Sequence, residues 1–477
     1  TPSLQYFQAL DDVLAKLQAS GVTGDIVGVS GSGQQHGSVY WGKDAGAVLS
    51  SLDPSSSLAD QLPAAFSLAF SPIWMDSSTS AQCRRVEDGV GGPERLASIT
   101  GSRAYERFTL NQILKIRDTM PAEYAATGNI SLISSALPTV LTGAMAPIDY
   151  SDGSGMNLLD IRKRRWSGEV LVGASASGDV DAKLGAPAPS ATVVGGLAPY
   201  FTSKYGFPEE CKVVAWTGDN PSSVAGLGLA EPGDVAISMG TSDTMFAIVA
   251  DPAPSSDGHV FVNPVDEASY MAMLCYKNGS LTRELIRDSA AGGSWTTFNA
   301  LLADGTPGNG GNIGLYFKEP EITPTVNVAG IRRFRADGGK VEAFSPAVDV
   351  RAVVEGQFLS MRCHGAGIGI VDPRRIIVTG GASANPAIVQ VAADVFGVPV
   401  VAASTPDSAA LGAAYRSIHA VEGVASFPEV LGRGEGGGNG PASFKLVASP
   451  NADAHAVYTD MVESYKAREA VVIAESA

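Results

Sequence analysis

Two polar stretches in the middle of the chain carry residue types suited to act on a hydroxyl group and a phosphate. Asp219 and Asn220 follow a predicted strand over 213–216 and precede a predicted helix of small residues that begins near Pro221. Such positions, outside the carboxyl ends of strands, are where α/β proteins bind ligands. The run Gly-Thr-Ser at 240–242 forms the expected tip of a hairpin, where backbone N–H groups and hydroxyls can bind phosphate. A carboxylate base and a phosphate-binding turn together indicate phosphoryl transfer to a hydroxyl group.

The same residue types also have ordinary structural uses. An Asp-Asn pair before a proline is most often a turn or a helix N-cap, and spacing alone favours that interpretation for Asp219. His36 follows two glutamines in the Gly-bounded loop 31–37, which is rich in donors and acceptors for a polyhydroxylated ligand. A lone histidine after a strand is nonetheless more often a core or loop residue. Arg107 is suited equally to binding a substrate oxygen and to pairing with a carboxylate.

A second strand–turn–helix unit predicts another ligand-binding turn late in the chain. A strand is predicted over 376–379, two glycines follow it, and Asn385 with Pro386 begins a helix that ends at Gly397. The glycines, of which Gly381 is the second, allow the backbone to approach a ligand closely. The helix N-terminus can face an anion or the polar edge of a base. Tight packing explains the Gly-Gly turn equally well.

Apolar periodicity and turn residues predict the surrounding elements. The chain begins with an amphipathic helix whose apolar face is expected to contain Phe7, Leu10, Val13, Leu14 and Leu17. We predict that 43–63, rich in Ser, Asp and Pro, is a surface insertion or flexible loop. The glycine-rich runs 305–314 and 432–440 are predicted to be loops. The basic run 163–165 is expected to lie on a solvated helix face, and the acidic run 149–157 to be a turn ahead of a helix rather than a calcium loop.

Length and composition favour a globular protein of two or three domains, since the chain has 477 residues and 45% are hydrophobic. A net charge of −16 argues against binding to nucleic acid or to an anionic membrane surface. No run approaches the ~18 apolar residues of a membrane span, and we expect no signal peptide. The four cysteines are widely spaced without CxxC pairing, which disfavours zinc or iron–sulfur binding and indicates a reduced, cytoplasmic setting.

A set of motifs, taken in order, resembles those of one enzyme family. The motifs are VSGSGQQHGSVYW, WMDSSTSAQCR, GSRAYERFT, IDYSDGSGMNLLDI, WTGDNPSSVAGLGL, MGTSDT, VTGGASANP and SAALGAAYR. In combination they resemble the FGGY carbohydrate kinases over nearly the whole chain, and most narrowly those eukaryotic members that phosphorylate D-xylulose. The resemblance implies an α/β fold of two ribonuclease-H-like, actin-like ATPase domains with a catalytic cleft between them. A sugar-binding domain would span 1–216 and an ATP-binding domain 217–477.

The resemblance also implies a role for particular residues, with ATP and Mg²⁺ as co-substrate and metal ion. Asp219 would be the general base that deprotonates the sugar hydroxyl. The ketose would be contacted by His36, Arg107, Asp219 and Asn220. The nucleotide would be bound by Gly240 and Thr241 at its phosphates and by Trp295, Gly381, Ala382 and Asn385 around the adenosine. No protein-only metal site is expected, and the oligomeric state stays open.

One departure from the family concerns the start of the chain. The family's N-terminal domain opens with a hairpin that carries an Asp and a Thr/Ser-rich turn near phosphate and magnesium, whereas this sequence begins at a helix. We therefore expect an incomplete N-terminal domain, low activity and reduced stability. Two alternatives to a D-xylulose kinase follow: a kinase for another ketose or polyol, and a catalytically silent protein that binds sugar or nucleotide.

Overall fold

The computed structural model describes residues 1–403, 407–432 and 444–476, which form a mixed α/β protein. The first part of the chain contains, in order, α1 Leu4–Ala19, β1 Gly28–Val29, β2 Ser32–Gly33, β3 Ser38–Gly42, α2 Ala45–Leu49, α3 Leu58–Gln61, α4 Ser80–Val90, α5 Pro93–Thr100, α6 Thr109–Thr119, α7 Pro121–Ala126, β4 Thr127–Leu132, α8 Ile133–Thr142, α9 Tyr150–Gly153, β5 Leu159–Asp160, β6 Arg165–Trp166, α10 Gly168–Gly173, α11 Val180–Leu184, β7 Val193–Gly196, α12 Pro199–Tyr205, β8 Lys212–Val214 and β9 Thr217–Gly218.

The second part begins at residue 219. It contains, in order, α13 Asp219–Gly226, β10 Asp234–Met239, β11 Asp243–Val249, β12 His259–Val262, β13 Tyr270–Tyr276, α14 Ser280–Ala290, α15 Trp295–Asp304, β14 Ile313–Phe317, β15 Gly330–Phe334, β16 Lys340–Val341, α16 Pro346–Gly367, β17 Arg375–Thr379, α17 Pro386–Phe396, β18 Val400–Ala403, α18 Ser408–Glu422, α19 Phe427–Gly432, β19 Phe444–Ala448 and α20 Ala452–Ser476. From residue 433 onwards, the predicted loop at 432–440 lies outside the described residues.

Seven strands of the second part form one continuous sheet in the order β12-β13-β11-β10-β17-β18-β19. The strands β10, β17 and β18 run parallel, and antiparallel strands extend the sheet on both sides. Val235 and Ile237 pack into one apolar cluster with α16 and α17, whereas Ala236 packs into another with α13. Alternate strand residues point to opposite faces, so a strand covered on both faces is apolar throughout. The predicted hairpin of β10 and β11 is confirmed.

The first part has smaller sheets instead of one continuous sheet. A three-stranded sheet has the order β1-β8-β7, and the pairs β2-β9, β3-β4 and β5-β6 stand apart from it among the described strands. The strand β2 pairs in parallel with β9, so that Ser32 lies opposite Thr217 and Gly33 opposite Gly218. This register places the loop after β2 beside the start of α13.

The prediction of a flexible loop over 43–63 is wrong. This segment contains α2, α3 and a 3₁₀ turn, and its Leu49, Leu58 and Leu62 are buried. The backbone N–H of Leu58 also donates to the carboxylate of Asp11 on α1 at 2.7 Å. Leucines spaced among serines and prolines bury apolar area against the first helix, and this packing outweighs the turn-rich composition.

Three other predictions differ from the structure in detail. On α1, Phe7 and Leu14 are buried but Val13 is 59% exposed, because the packed face of the helix is narrower than the apolar pattern. The basic run 163–165 ends the turn between β5 and β6 and begins β6 at Arg165, rather than forming a helix face, and Arg164 has a φ of 54° in the turn. The glycine-rich run 305–314 includes the first residues of β14. Within the described ranges, no helix combines the length and the apolar character needed to cross a membrane.

Candidate functional site

Asp219 begins α13 directly after the short strand β9. The pairing of β9 with β2 places Asp219 beside the loop 31–37, and two glycines permit this approach. A Cβ on Gly218 would lie 2.4 Å from Cγ of Gln35, and a Cβ on Gly33 would lie 2.4 Å from the backbone N of Ser134. A larger residue at 218 would push β9 away from the loop, and a larger residue at 33 would push β2 away from α8, so the glycines are needed for close packing rather than for an unusual φ.

Gln35 makes hydrogen bonds to three groups around Asp219. Its backbone N–H donates to Oδ1 of Asp219 at 3.3 Å. Its side-chain Oε1 accepts from Nδ2 of Asn220 at 2.9 Å, and its Nε2 donates to Oδ1 of Asp152 at 3.3 Å. Gln35 is only 3% exposed, so these bonds are shielded from water. One glutamine thereby fixes the relative positions of Asp219 and Asn220. We call Gln35, His36, Arg107, Asp219 and Asn220 the Asp219 site.

The carboxylate of Asp219 is exposed to solvent on one side and surrounded by protein on the other. The surrounding protein displaces water and raises the pKa of Asp219 above its usual value, while N–H donors from Gln35, Asn220 and Asp219 itself oppose that rise. A carboxylate with a raised pKa is a stronger proton acceptor once it is ionised. The exposed side leaves room for a hydroxyl group to approach.

A second carboxyl, that of Asp152, lies behind the Asp219 site and is fully buried. Ser134 Oγ donates to its Oδ2 at 2.5 Å. Burial, followed by the nearby charge of Asp149, raises the pKa of Asp152 to about 8. Asp152 is therefore predominantly protonated at neutral pH and adds little negative charge next to Asp219.

His36 is 7% exposed and adopts a φ of 69°, in the left-handed region. Its Nδ1 lies 3.0 Å from the carbonyl oxygen of Gly155, and its ring stacks on Phe108 with a centroid distance of 4.4 Å. Burial and then the charge of Arg107 lower the pKa of His36 to about 3, so the ring is neutral. Because a carbonyl only accepts, Nδ1 carries the proton and Nε2 is unprotonated, so that it can accept from a ligand hydroxyl.

The guanidinium of Arg107 lies 4.8 Å from the ring centroid of Tyr105 and 5.4 Å from that of Phe108. Its Nη2 donates to Nε2 of His259 at 3.3 Å. Among the residues that the structure describes, Arg107 has no ion pair with a carboxylate, and the carboxylate-pairing alternative is therefore not seen. Phe108 contacts both the Arg107 guanidinium and the His36 ring, which places these two side chains near each other.

A cavity of about 630 Å³ lies at the carboxyl end of the seven-stranded sheet, between the β10–β11 tip, α14, α15 and the turn before α17. We call it the Trp295 cavity. It brings together all six residues predicted to bind nucleotide: Gly240, Thr241, Trp295, Gly381, Ala382 and Asn385. The remaining lining residues are Met239, Ser280, Glu284, Asn299, Ala384, Pro386 and Ile388. A volume in this range suits a ligand of nucleotide size.

Local backbone and side-chain geometry shape the Trp295 cavity. Gly380 has a φ of 83°, and a Cβ there would lie 2.5 Å from the carbonyl oxygen of Met239, so only glycine fits between β10 and β17. Asn385 caps α17 by accepting from the N–H groups of Ala387 and Ile388. Its Nδ2 donates to Oδ1 of Asn299 at 2.7 Å, which turns the Asn299 amide so that its N–H₂ group remains available as a donor.

Sequence reasoning missed Gln35, Asp152, Ser280, Glu284 and Asn299. Three of them could have been found by helical spacing. Ser280 and Glu284 are four residues apart on α14, and Asn299 lies four residues after Trp295 on α15, so each pair shares a helix face. The two glutamines already indicated a loop rich in donors and acceptors, but no local pattern identifies the partners of Gln35 and Asp152, because these are distant in the chain.

Residues 68–226 match the N-terminal domain of the FGGY family of carbohydrate kinases, and residues 235–421 match its C-terminal domain. The chain belongs to this family. Rat xylulose kinase is 48% identical to it over 100% of this chain and 88% of its own length. Xylulose kinase 2 of Arabidopsis thaliana is 49% identical over 88% of this chain and 77% of its own length.

Solved structures show the same fold at lower identity. A ligand-bound xylulose kinase from Lactobacillus acidophilus has a TM-score of 0.76 and 20% identity, covering 98% of this chain and 88% of its own. The xylulose kinase from Rhodospirillum rubrum has a TM-score of 0.75 and 18% identity, and the match covers 94% of this chain and 84% of the Rhodospirillum rubrum chain. These similarities confirm the two-domain FGGY kinase fold that the resemblance implied.

Proposed function

We propose that this carbohydrate kinase transfers the γ-phosphoryl group of ATP to D-xylulose and forms D-xylulose 5-phosphate. The observation that carries the proposal is the 48% identity to rat xylulose kinase over the whole of this chain. Sugar specificity depends on the side chains that line the sugar site, and the aligned region covers 100% of this chain and so includes every segment that supplies them.

In the proposed mechanism, Asp219 accepts the proton of the ketose hydroxyl as that oxygen attacks the γ-phosphorus. Its exposed side and its raised pKa support this role. Gln35 holds Asp219 next to Asn220, which supports the assignment of Asn220 as a ketose ligand. His36 would accept from one ketose hydroxyl through Nε2, and Arg107 would donate to a ketose oxygen. Protonation of Asp152 limits repulsion of the incoming phosphates.

The Trp295 cavity is the proposed site of ATP. Gly240 and Thr241 would bind the phosphates through backbone N–H groups and a hydroxyl. These donors bind an anion without the burial of a charged side chain. The adenosine would lie among Trp295, Gly381, Ala382 and Asn385. Joint placement of all six residues around one cavity supports the assignment.

Mg²⁺ is proposed to arrive with the triphosphate. Within the described part of the chain, no group of three or more His, Cys, Asp or Glu side chains could bind a metal ion by itself. Mg²⁺ in kinase sites keeps several waters and takes few protein ligands, so this arrangement fits an ion carried by ATP. When bound, the ion neutralises charge on the phosphate oxygens.

We also propose a division into a sugar-binding domain over 1–216 and an ATP-binding domain over 217–477. The matched family ranges, which separate between residues 226 and 235, support a division in this region. The strand β9, at 217–218, pairs with β2 and belongs structurally with the first part.

A cytoplasmic location is proposed from the free state of all four cysteines, three of them buried.

An assay that couples ADP release to a second enzyme tests the proposed function. We expect ADP release that depends on D-xylulose and is much weaker with other ketoses and with polyols. Calorimetric titration of D-xylulose and ATP separately provides the control. Binding of both ligands without turnover would favour the silent binding protein, and turnover with a different sugar would favour the other-ketose alternative.

A further inference from the structure

His259 has no role in the site described above, although it touches one of its members. It begins β12, an edge strand of the seven-stranded sheet, and it is 2% exposed. The next residue of the strand, Val260, donates its N–H to the carbonyl oxygen of Gly101 at 2.8 Å. The edge of the large sheet is thereby attached to the segment that carries Arg107.

The hydrogen bonds of His259 define its tautomer. Nε2 lies 3.3 Å from Nη2 of Arg107, and Nδ1 lies 3.0 Å from Oγ of Ser102. A guanidinium only donates, so Nε2 must be the unprotonated nitrogen. Nδ1 then carries the proton and donates to the serine hydroxyl. His259 therefore presents an acceptor to Arg107 only in its neutral form with the proton on Nδ1.

Burial and neighbouring cations keep this imidazole neutral. Burial lowers the pKa of His259 well below its usual value, and the charges of Arg107 and Arg103 act in the same direction. The ring also packs against Tyr105 at 4.8 Å and Phe108 at 5.6 Å between centroids. Burial and the nearby cations thus favour the neutral ring, whose Nε2 lone pair accepts from Arg107.

The contact with His259 uses one of the five N–H donors of Arg107. Among the described residues, no other acceptor within hydrogen-bond distance takes up the remaining donors. The rings of Tyr105 and Phe108 cover the guanidinium without accepting a hydrogen bond. An arginine held by one neutral acceptor and two rings keeps its other donors for a ligand oxygen.

We propose that His259 is a positioning residue that holds the Arg107 guanidinium towards the ketose, so that a strand of the large sheet sets ketose affinity. This inference rests on the proposed function for the identity of the ligand. A purely structural role as a buried ring is the competing explanation, and the variants must separate the acceptor atom from the ring.

The matched pair is His259→Phe and His259→Gln. Phenylalanine keeps a ring between Tyr105 and Phe108 but has no acceptor, whereas glutamine offers one acceptor and one donor without a ring. We expect His259→Phe to raise KM for D-xylulose about tenfold, since it removes a hydrogen bond to a charged group. We expect His259→Gln to stay within about threefold of the parent, and KM for ATP to change little in either variant.

A double-variant cycle tests whether His259 acts through Arg107. The expected result is that Arg107→Met with His259→Phe binds D-xylulose no more weakly than Arg107→Met alone. Additive losses would overturn the proposal, and so would an unchanged KM in His259→Phe. If KM for D-xylulose stays near the parent value in His259→Phe but rises in His259→Gln, His259 has a packing role instead.

Histidine ¹⁵N NMR of the parent protein tests the contact directly. The measurement needs no ketose and does not depend on whether a His259 variant folds. The expected spectrum shows neutral His259 with the proton on Nδ1, and its Nε2 resonance shifts in Arg107→Met. A proton on Nε2 would overturn the proposal. Absence of ketose turnover together with the expected spectrum would refute the proposed function and leave the His259–Arg107 contact standing.

Discussion

The Asp219 site and the Trp295 cavity are built by different means. The Trp295 cavity lies at one end of a continuous seven-stranded sheet, and its walls are turns and helix starts adjacent to neighbouring strands. The Asp219 site depends on side-chain hydrogen bonds between segments more than a hundred residues apart, such as Gln35 with Asp152 and Asn220. Backbone geometry shapes the Trp295 cavity, and a buried polar network shapes the Asp219 site.

This difference predicts how each site tolerates change. A site formed from backbone turns should lose affinity gradually when one side chain is removed. A network that shares one glutamine among three partners should fail more sharply, because removing a member leaves buried polar groups without partners. Four variants are given below, from the largest expected effect to the smallest; Gln35→Ala and Trp295→Ala compare the two sites directly, and the other two test the carboxyl groups of the Asp219 network.

Asp219→Asn is expected to lower kcat about 10²-fold or more, because the amide keeps the size of the side chain but cannot accept the hydroxyl proton. D-xylulose affinity should change little, since Oδ1 of asparagine can still accept from the N–H of Gln35. Steady-state kinetics and calorimetry measure the two effects. Turnover close to that of the parent would remove Asp219 from the role of base.

Gln35→Ala is expected to lower kcat/KM for D-xylulose by about tenfold or more, since Asn220 and Asp152 each lose a partner. KM for ATP should stay within about twofold, because Gln35 does not line the Trp295 cavity. The two kinetic constants are measured with the other substrate saturating. Equal losses for both substrates would show that the two sites are not independent.

Trp295→Ala is expected to raise KM for ATP about fivefold through loss of aromatic contact area, with KM for D-xylulose unchanged. The matched control is Thr296→Ala, an exposed neighbour on the same helix that does not line the cavity. Kinetics with varied ATP measure the effect. A larger loss than in Gln35→Ala would reverse the proposed contrast between the two sites.

Asp152→Asn is expected to change the pH dependence of stability. The pKa of Asp152 in the folded protein is about 8, above its usual value near 3.8, so the folded state holds the proton more tightly than the unfolded state. The contribution of Asp152 to the free energy of unfolding is therefore fully present below pH 4 and declines as the pH rises towards 8. The asparagine variant should show a flatter Tm profile across that window.

Thermal unfolding from pH 5 to pH 9 measures this effect, with the exposed Asp12→Asn as control. A profile for Asp152→Asn as steep as that of the parent would show that Asp152 does not hold a proton in the folded state. An equal flattening in Asp12→Asn would point to a general charge effect instead.

Part of the Trp295 cavity could be predicted because its features are local. The hairpin of β10 and β11 and the capped start of α17 follow from apolar strands, glycines and an Asn-Pro pair. Local patterns were less reliable where composition and packing conflict. The composition of 43–63 predicts a loop, but the segment packs against the rest of the protein through Leu58. Val13 fits the apolar pattern of α1 but faces solvent.

The sequence alone determined the family, through its ordered motifs, and it determined the β10–β11 hairpin and the capped start of α17 through short-range patterns. The family resemblance implied six of the residues around the Trp295 cavity, whereas Ser280, Glu284 and Asn299 of the same lining were not predicted. Only the tertiary structure decided which side chains support Asp219 and Arg107. Gln35, Asp152 and His259 act through partners brought close by strand pairing and burial, and no spacing in the chain encodes such contacts. The charge states of Asp152 and His259 follow from the same burial, since removal of water and nearby charges set the pKa of each.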